Sequence, residues 1–267
     1  MKNVYSRWTA DEVRTVEKSG KVALLPLGTL EQHGPHLPLD TDTRIANAIA
    51  WRVAQLVPET VVLLRPLEYG VSSFHREPPG GIYIHPHVYE NFLLAIIESM
   101  IAHGFGAFFL LNGHGGNQSS VTNVQKIINH GHERKVFVGT TPLYLSGAKG
   151  RAALREEGFR ETIGHACEIE TSLMLAIDAA VVRMDKIADD EGFHRTTNFS
   201  PYDDGPLQLY LPTETESRDG VYGNPSKASP EAGGRLLAIA AEEIGDYIKE
   251  MLAILEKVRR QLRRIRK

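Results

Sequence analysis

The sequence predicts an α/β fold built on a mainly parallel sheet. Three observations carry that expectation. Short apolar runs bounded by turn residues recur at 22–27, 60–64, 107–111 and 136–140, and such runs read as strands buried on both faces. Segments with helical apolar spacing separate them, at 44–57, 88–103 and 118–129, and this alternation makes parallel βαβ units. Polar motifs rich in His, Asp and Glu follow the first and third runs directly, which is where open α/β sheets place their sites.

Taken in order, Thr9-Ala10-Asp11-Glu12 reads as a helix start, with Thr9 as N-cap and an acidic residue three positions on. That helix is expected to end at Gly20. The strand 22–27 leads into a motif-bearing loop, and helix 44–57 stops before Pro58. The β-branched run 60–64 is the second strand. A long loop, 66–87, follows, with Tyr69-Gly70-Val71-Ser72-Ser73-Phe74-His75 and Pro78-Pro79-Gly80-Gly81 inside it; loops of this length are functional or mobile. After helix 88–103, Gly104-Phe105-Gly106 turns into strand 107–111. Strand 136–140, helix 146–157 and helix 170–177 come next. Residues 189–225 are polar and rich in Gly, Pro, Asp and Thr, an irregular segment expected over the mouth of the site or at a subunit contact. A final helix over 230–258 carries apolar residues at helical spacing from Leu236 to Leu255.

The length of 267 residues suits one large domain, 1–267. The one cysteine, Cys167, excludes an internal disulfide framework and fits a reducing cytoplasm. The first twenty residues do not read as a signal peptide, and no apolar run is long enough to span a bilayer. The net charge of −3 is uneven: residues 257–267 hold seven basic side chains, and the rest of the chain is −10. An acidic body argues against a nucleic-acid partner. The basic end reads as a solvated helix terminus, where cations complement the dipole.

The stretch from Glu31 to Asp42 holds three carboxylates and two imidazoles among Gly34, Pro35 and Pro38. Imidazole with carboxylate is a ligand set for zinc, manganese or iron. Glu31 and His33 share one side of an extended segment, because the side-chain period there is two. His114, flanked by glycines in Asn112-Gly113-His114-Gly115-Gly116-Asn117, fits a ligand too: small neighbours let an ion and its substrate approach. That loop lacks a P-loop lysine and dinucleotide spacing. Asn112 and Asn117 are expected to brace it.

The run G-T-L-E-Q-H-G-P-H-L-P-L-D-T-D at 28–42, with the 112–117 motif and His165-Ala166-Cys167-Glu168-Ile169-Glu170-Thr171-Ser172, resembles the signatures of the creatininase family. The resemblance implies a three-layer α/β/α fold with a mainly parallel central sheet. It implies two divalent ions per chain, with Glu31 and His114 on one, His33 on the other and Asp42 as the bridge, and a homo-oligomer, a hexamer or smaller ring. Members that act on creatinine carry a ligand Glu where this chain has Gly116. Glu168 is expected to fill that vacancy as fifth metal ligand. Glu170 is the competing candidate and otherwise a catalytic or supporting carboxylate, since residues two apart on a helix point away from each other. His165 is read as catalytic, donating a proton to the leaving group or clamping the carbonyl; a structural histidine is the alternative. His36 and Asp40 are read as support behind the ligands, His75 as a substrate contact or an ordinary loop histidine, and Cys167 as no nucleophile, with no paired base.

Such a centre lowers the pKa of bound water to about 7 and polarises a carbonyl. The expected activity is therefore metal-dependent hydrolysis of a C–N amide bond, in a cyclic amide or formamide of a small molecule, through a metal-bridging hydroxide. A peptidase or a cyclic keto-sugar hydrolase stands as the alternative within the family, and a non-catalytic metal-binding scaffold as the alternative outside it. Gly164 and Gly116 stand where creatinine-hydrolysing members have acidic residues, which argues against creatinine itself.

Overall fold

The computed structural model describes residues 2–16, 18, 20–73, 79–131, 135–190, 207, 209, 211 and 213–265. Among them, β1 (Val22–Leu27), β2 (Val61–Leu63), β3 (Ala107–Asn112) and β4 (Phe137–Thr140) form one parallel sheet in the order β2-β1-β3-β4. Parallel neighbours need crossovers, and three helices supply them: α2 (Thr41–Leu56), α3 (Pro86–Ala102) and α4 (Gln118–His130). The chain begins with α1 (Ala10–Thr15) and continues after β4 with α5 (Ala148–Glu156), α6 (Glu168–Asp178), the short α7 (Thr213–Glu216) and the long α8 (Pro230–Ile265).

Strand side chains alternate between two cores. Val22 and Leu24 face Ile45, Ile49 and Val53 of α2, with Ile169 and Leu173 of α6 and Leu236, Ile244 and Ile248 of α8 in the same core. Ala23, Leu25 and Leu27 face the other way, onto Leu93 and Ile97 of α3 and Val121, Val124 and Ile128 of α4. The result is the three-layer α/β/α arrangement with a parallel central sheet. Each fully buried Leu or Ile contributes about 1.5–3 kcal/mol, more than a cap contributes, so packing fixes these helices. Helix α1 is different. It buries no residue and rests on its capping box, with Thr9 Oγ1 accepting from the Glu12 amide and Glu12 Oε2 from the Thr9 amide. It accordingly stops at Thr15, short of Gly20.

Three boundaries matter for the site. Helix α2 starts at Thr41, three residues before the apolar spacing begins, because Thr41 Oγ1 donates to Pro38 O and Asp40 pairs with Arg44 across the first turn. Asp42 is therefore helical. Helix α6 starts at Glu168 rather than Glu170. Helix α8 runs on to Ile265, so most of the basic end is helical. Residues 74–78, with His75, lie outside the described residues, as do 191–206, 208, 210 and 212 of the irregular segment. No described helix is long and apolar enough to cross a membrane.

Strands β1 and β3 are paired up to Leu27 and Asn112. From there the chain leaves to opposite faces, into α2 after β1 and into α4 after β3. This divergence opens the crevice at the C-terminal edge of an open α/β sheet. Close approach keeps the base of the crevice tight. The Gly113 amide donates to Leu27 O at 2.8 Å, and a Cβ at Gly113 would stand 2.8 Å from Ala46 Cβ and 2.9 Å from the carbonyl oxygens of Asp42 and Leu27. Gly113→Ala is therefore expected to lower stability by about 1–3 kcal/mol, read from the midpoint of urea unfolding. An unchanged midpoint would contradict this packing of α2.

Candidate metal centre

The loop after β1, the first turn of α2, the loop after β3, and the segment 165–170 that enters α6 deliver side chains into the crevice. Three trios there have ligand atoms within 4.8 Å of one another: Glu31, Asp42 and His114; His33, Asp42 and Glu170; and Glu31, His33 and His165. His33 Nε2 lies 3.2 Å from Asp42 Oδ1 and 3.9 Å from Glu170 Oε1. His114 Nδ1 lies 3.0 Å from Asp42 Oδ2 and 3.3 Å from Glu31 Oε1. His165 Nδ1 lies 3.7 Å from Glu31 Oε1. All six side chains are buried.

Each imidazole is tethered through its far nitrogen. His33 Nδ1 is 3.3 Å from Glu31 O, His114 Nε2 is 3.2 Å from Val71 O, and His165 Nε2 is 2.7 Å from Gln32 O. With those nitrogens as donors, His33 Nε2, His114 Nδ1 and His165 Nδ1 are left for the cluster. This is the usual way a protein fixes the tautomer of a ligating histidine. The carboxylates are fixed in turn: Ser72 Oγ donates to Glu31 Oε2 at 2.6 Å.

The donor set fits divalent ions. Three carboxylates in one buried cluster are costly without cations. Among the described residues, Glu170 Oε2 has no hydrogen-bond partner, and Asp42 Oδ2 approaches His114 Nδ1 without hydrogen-bond alignment. Without metal, protons are the cations at hand. Burial pulls His33 down, but Asp42 first, then Glu170 and Glu31, overcome it and hold the imidazole up at about 10. Burial likewise opposes the charge on His114, which Glu31 and Asp42 hold well above the ordinary histidine range. Asp42 is raised by burial but driven far below the carboxylate range by His33 and His114. Glu170 is pushed up to about 7 by burial, against the pull of His33 and with repulsion from Asp42 and Glu31. Burial and the neighbouring His33 charge drive His165 well below the ordinary range, so it is neutral.

These shifts set a pH dependence. A group whose pKa rises on folding lends stability below its unfolded pKa and loses it as pH climbs through the folded one. For Glu170 that loss spans 4.5 to about 7, and for His33 6.5 to about 10. Metal-free protein should therefore lose stability toward alkaline pH, whereas ions need deprotonated ligands. The gain in Tm on adding zinc or manganese should grow between about pH 7 and pH 9. A gain that shrinks over that range would contradict the assignment of these protons.

Of the residues singled out from the sequence, Glu31, His33, Asp42, His114, His165 and Glu170 come together. Glu168 does not join them. Its Oε2 accepts from the Asn224 amide at 2.8 Å and its Oε1 lies 3.5 Å from Arg160 Nε. Both glutamates lie in the first turn of α6, about 200° apart around its axis, so only one of them, Glu170, faces the crevice. Asn117 braces as expected, joining the Val71 amide to Gly28 O, and Asn112 accepts from the His114 amide. His36 Nε2 meets Thr171 Oγ1 at 2.9 Å, behind Glu170, and Asp40 pairs with Arg44. Cys167 is buried, and burial with the nearby Glu170 and Glu168 charges pushes its thiol far up. Ser72 and Gln32 were not singled out. Ser72 was visible only as the serine of Tyr69-Gly70-Val71-Ser72, and nothing local to it points at Glu31. Gly116 has no room for a side chain: a Cβ there would collide with the Val71 carbonyl and the His114 ring.

The structure also holds a cavity of about 590 Å³ at the C-terminal end of β4, lined by Thr141, Tyr144, Arg151 and Tyr247 among others. None of the clustered ligands lines it. Tyr144, one of its lining residues, is fully buried, and burial first, then the Glu170 and Asp42 charges, raises its hydroxyl.

Residues 6–248 match the family described as Creatininase: Creatinine amidohydrolase. The chain is 29% identical over 258 residues to the creatinine amidohydrolase of Pseudomonas putida, covering 91% of this chain and 94% of that one. It is 31% identical to the mycofactocin precursor peptide peptidase of Mycobacterium ulcerans, covering 80% and 79%. The solved structure "Creatininase Mn" superposes with a TM-score of 0.76 at 25% identity, covering 94% of this chain and 98% of that one. With the crevice geometry and a match over nearly its whole length, the chain belongs to the creatininase family.

Proposed function

We propose that the protein is a metal-dependent amidohydrolase that cleaves a C–N amide bond in a small molecule, a cyclic amide or a formamide. The observation that carries this reading is the buried cluster itself: Glu31, Asp42 and His114 on one side, His33, Asp42 and Glu170 on the other, sharing Asp42. In this reading Glu170, not Glu168, completes the ligand set, and the ions are zinc, manganese or iron. Two such ions would supply an ionisable water near neutral pH and a Lewis acid for the carbonyl oxygen.

The remaining work falls to the chain. His165, with Nδ1 3.7 Å from Glu31 Oε1, can take a proton there and return it to the leaving nitrogen. Its Nε2 contact to Gln32 O keeps the ring from turning away. Ser72 holds Glu31 so that its second oxygen stays on His114 and His165. The same reading carries a single 1–267 domain, a cytoplasmic location and a homo-oligomer.

A peptidase is the second reading. It is favoured by the likeness to a mycofactocin precursor peptide peptidase and by the lack of room at Gly116 for an acidic side chain. The deciding experiment is a panel of formamides, small cyclic amides including creatinine, cyclic keto-sugars and short peptides, offered to zinc- or manganese-loaded protein. Turnover of a formamide or cyclic amide is the expected result. Turnover of peptides alone would move the assignment to the peptidase, of keto-sugars alone to that hydrolase. A protein that binds ions and turns over nothing would be the metal-binding scaffold.

A further inference from the structure

We propose that Glu168 is a positioning residue for His165, acting through the segment 222–224; this rests on the role given to His165 above. The chain passes from His165 to Glu168 through Ala166, a non-glycine residue held at φ 47°. L side chains resist that conformation, and it persists only where the surroundings impose it. The surroundings here are a strap laid across both ends of the tetrapeptide. At one end Tyr222 pairs with His165 in both directions, its amide donating to His165 O at 2.7 Å and its carbonyl accepting from the His165 amide at 3.2 Å. At the other end the Asn224 amide donates to Glu168 Oε2 at 2.8 Å.

Between the two anchors, Gly223 lies on Cys167. A Cβ at Gly223 would stand 2.5 Å from Cys167 Cβ and 2.7 Å from Glu168 Oε2. A Cβ at Gly164 would collide with the Tyr222 carbonyl. The strap therefore needs glycine on both surfaces to lie this close. Arg160 closes the arrangement from outside, with Nε 3.5 Å from Glu168 Oε1 and the guanidinium 5.5 Å from the Tyr222 ring centroid. One buried carboxylate thus fixes both the backbone at Asn224 and the cation that covers Tyr222. The strap has a second hold, the two-way backbone pair of Gly223 with Asp190 at 2.7 and 3.1 Å, so releasing the carboxylate loosens the far end without freeing it and weakens the support of the His165 backbone. His165 Nδ1 would then be held less firmly at its place beside Glu31.

The test uses the full-length, zinc-loaded protein and the best substrate of the panel above. Glu168→Ala is expected to keep the wild-type ion content, to lower kcat by about 10–100-fold and to leave KM unchanged. Glu168→Gln keeps an oxygen to accept from the Asn224 amide, so it should restore most of the lost kcat. If Glu168→Ala does not fold, Arg160→Met releases the Tyr222 side of the clamp and should give the same kcat loss at unchanged KM, to a smaller degree. An unchanged kcat in an active background, or a change confined to KM, overturns the proposal. Ion content that falls with kcat overturns it in a different way, by making Glu168 a ligand. A wild-type protein that turns over nothing in the panel defeats the functional reading first, and the clamp with it.

Discussion

Asp42→Asn should abolish turnover and strip the protein of most of its divalent metal. Asp42 is the one residue common to the two trios that contain His114 and Glu170. Its two oxygens divide between two imidazoles, Oδ1 at 3.2 Å from His33 and Oδ2 at 3.0 Å from His114. Asparagine has the same shape and sits as well in the first turn of α2, so the fold is retained. In the proposed centre it would remove one anionic ligand from both ions at once. The loss should exceed the about 10–100-fold that a change behind the ligands costs. Plasma mass spectrometry on the purified variant and the rate on the best substrate read the two effects together. Wild-type ion content with a wild-type rate would show that Asp42 bridges nothing.

The second large effect separates two chemically identical residues. Glu170→Gln should lower the ion content to about one per chain and remove most of the activity. Glu170 Oε1 stands 3.9 Å from His33 Nε2, and its other oxygen is buried without a hydrogen-bond partner among the described residues. The ion shared by Glu31, Asp42 and His114 would lose nothing and should stay. Glu168→Gln should keep both ions, because the Glu168 carboxylate is already engaged by the Asn224 amide and Arg160. Loss of metal in Glu168→Gln with retention in Glu170→Gln would reverse the assignment.

The choice between these two glutamates marks the limit of what the sequence conveys. Four parallel strands, the crossover helices and the positions of the first two motifs follow from apolar runs and spacing, because a strand buried on both faces has few alternatives. Glu31, His33 and His114 lie on loops that follow paired strands, and Asp42 in the first turn of the helix after the first of them, so finding the strands finds them. The third motif lies at a helix start, and its outcome turned on whether α6 begins at Glu168 or Glu170. A shift of two residues rotates a helix by more than half a turn and exchanges the side chain that faces the crevice. The residue types within the motif do not by themselves reveal that start. Distant groups take part, because the Asn224 amide and Arg160 take the Glu168 carboxylate, and within the motif Ala166 adopts a left-handed conformation that its residue type does not announce. The same holds for Ser72 on Glu31 and Gln32 on His165, contacts made only once separate loops meet.

The central claim is that this cluster is a hydrolytic centre of two divalent ions. Metal analysis of the purified protein, paired with its hydrolytic rate before and after chelation, tests it most directly. The account predicts about two ions per chain, loss of hydrolysis when they are removed, and recovery when zinc or manganese is returned. Hydrolysis undiminished in protein stripped of metal would contradict it.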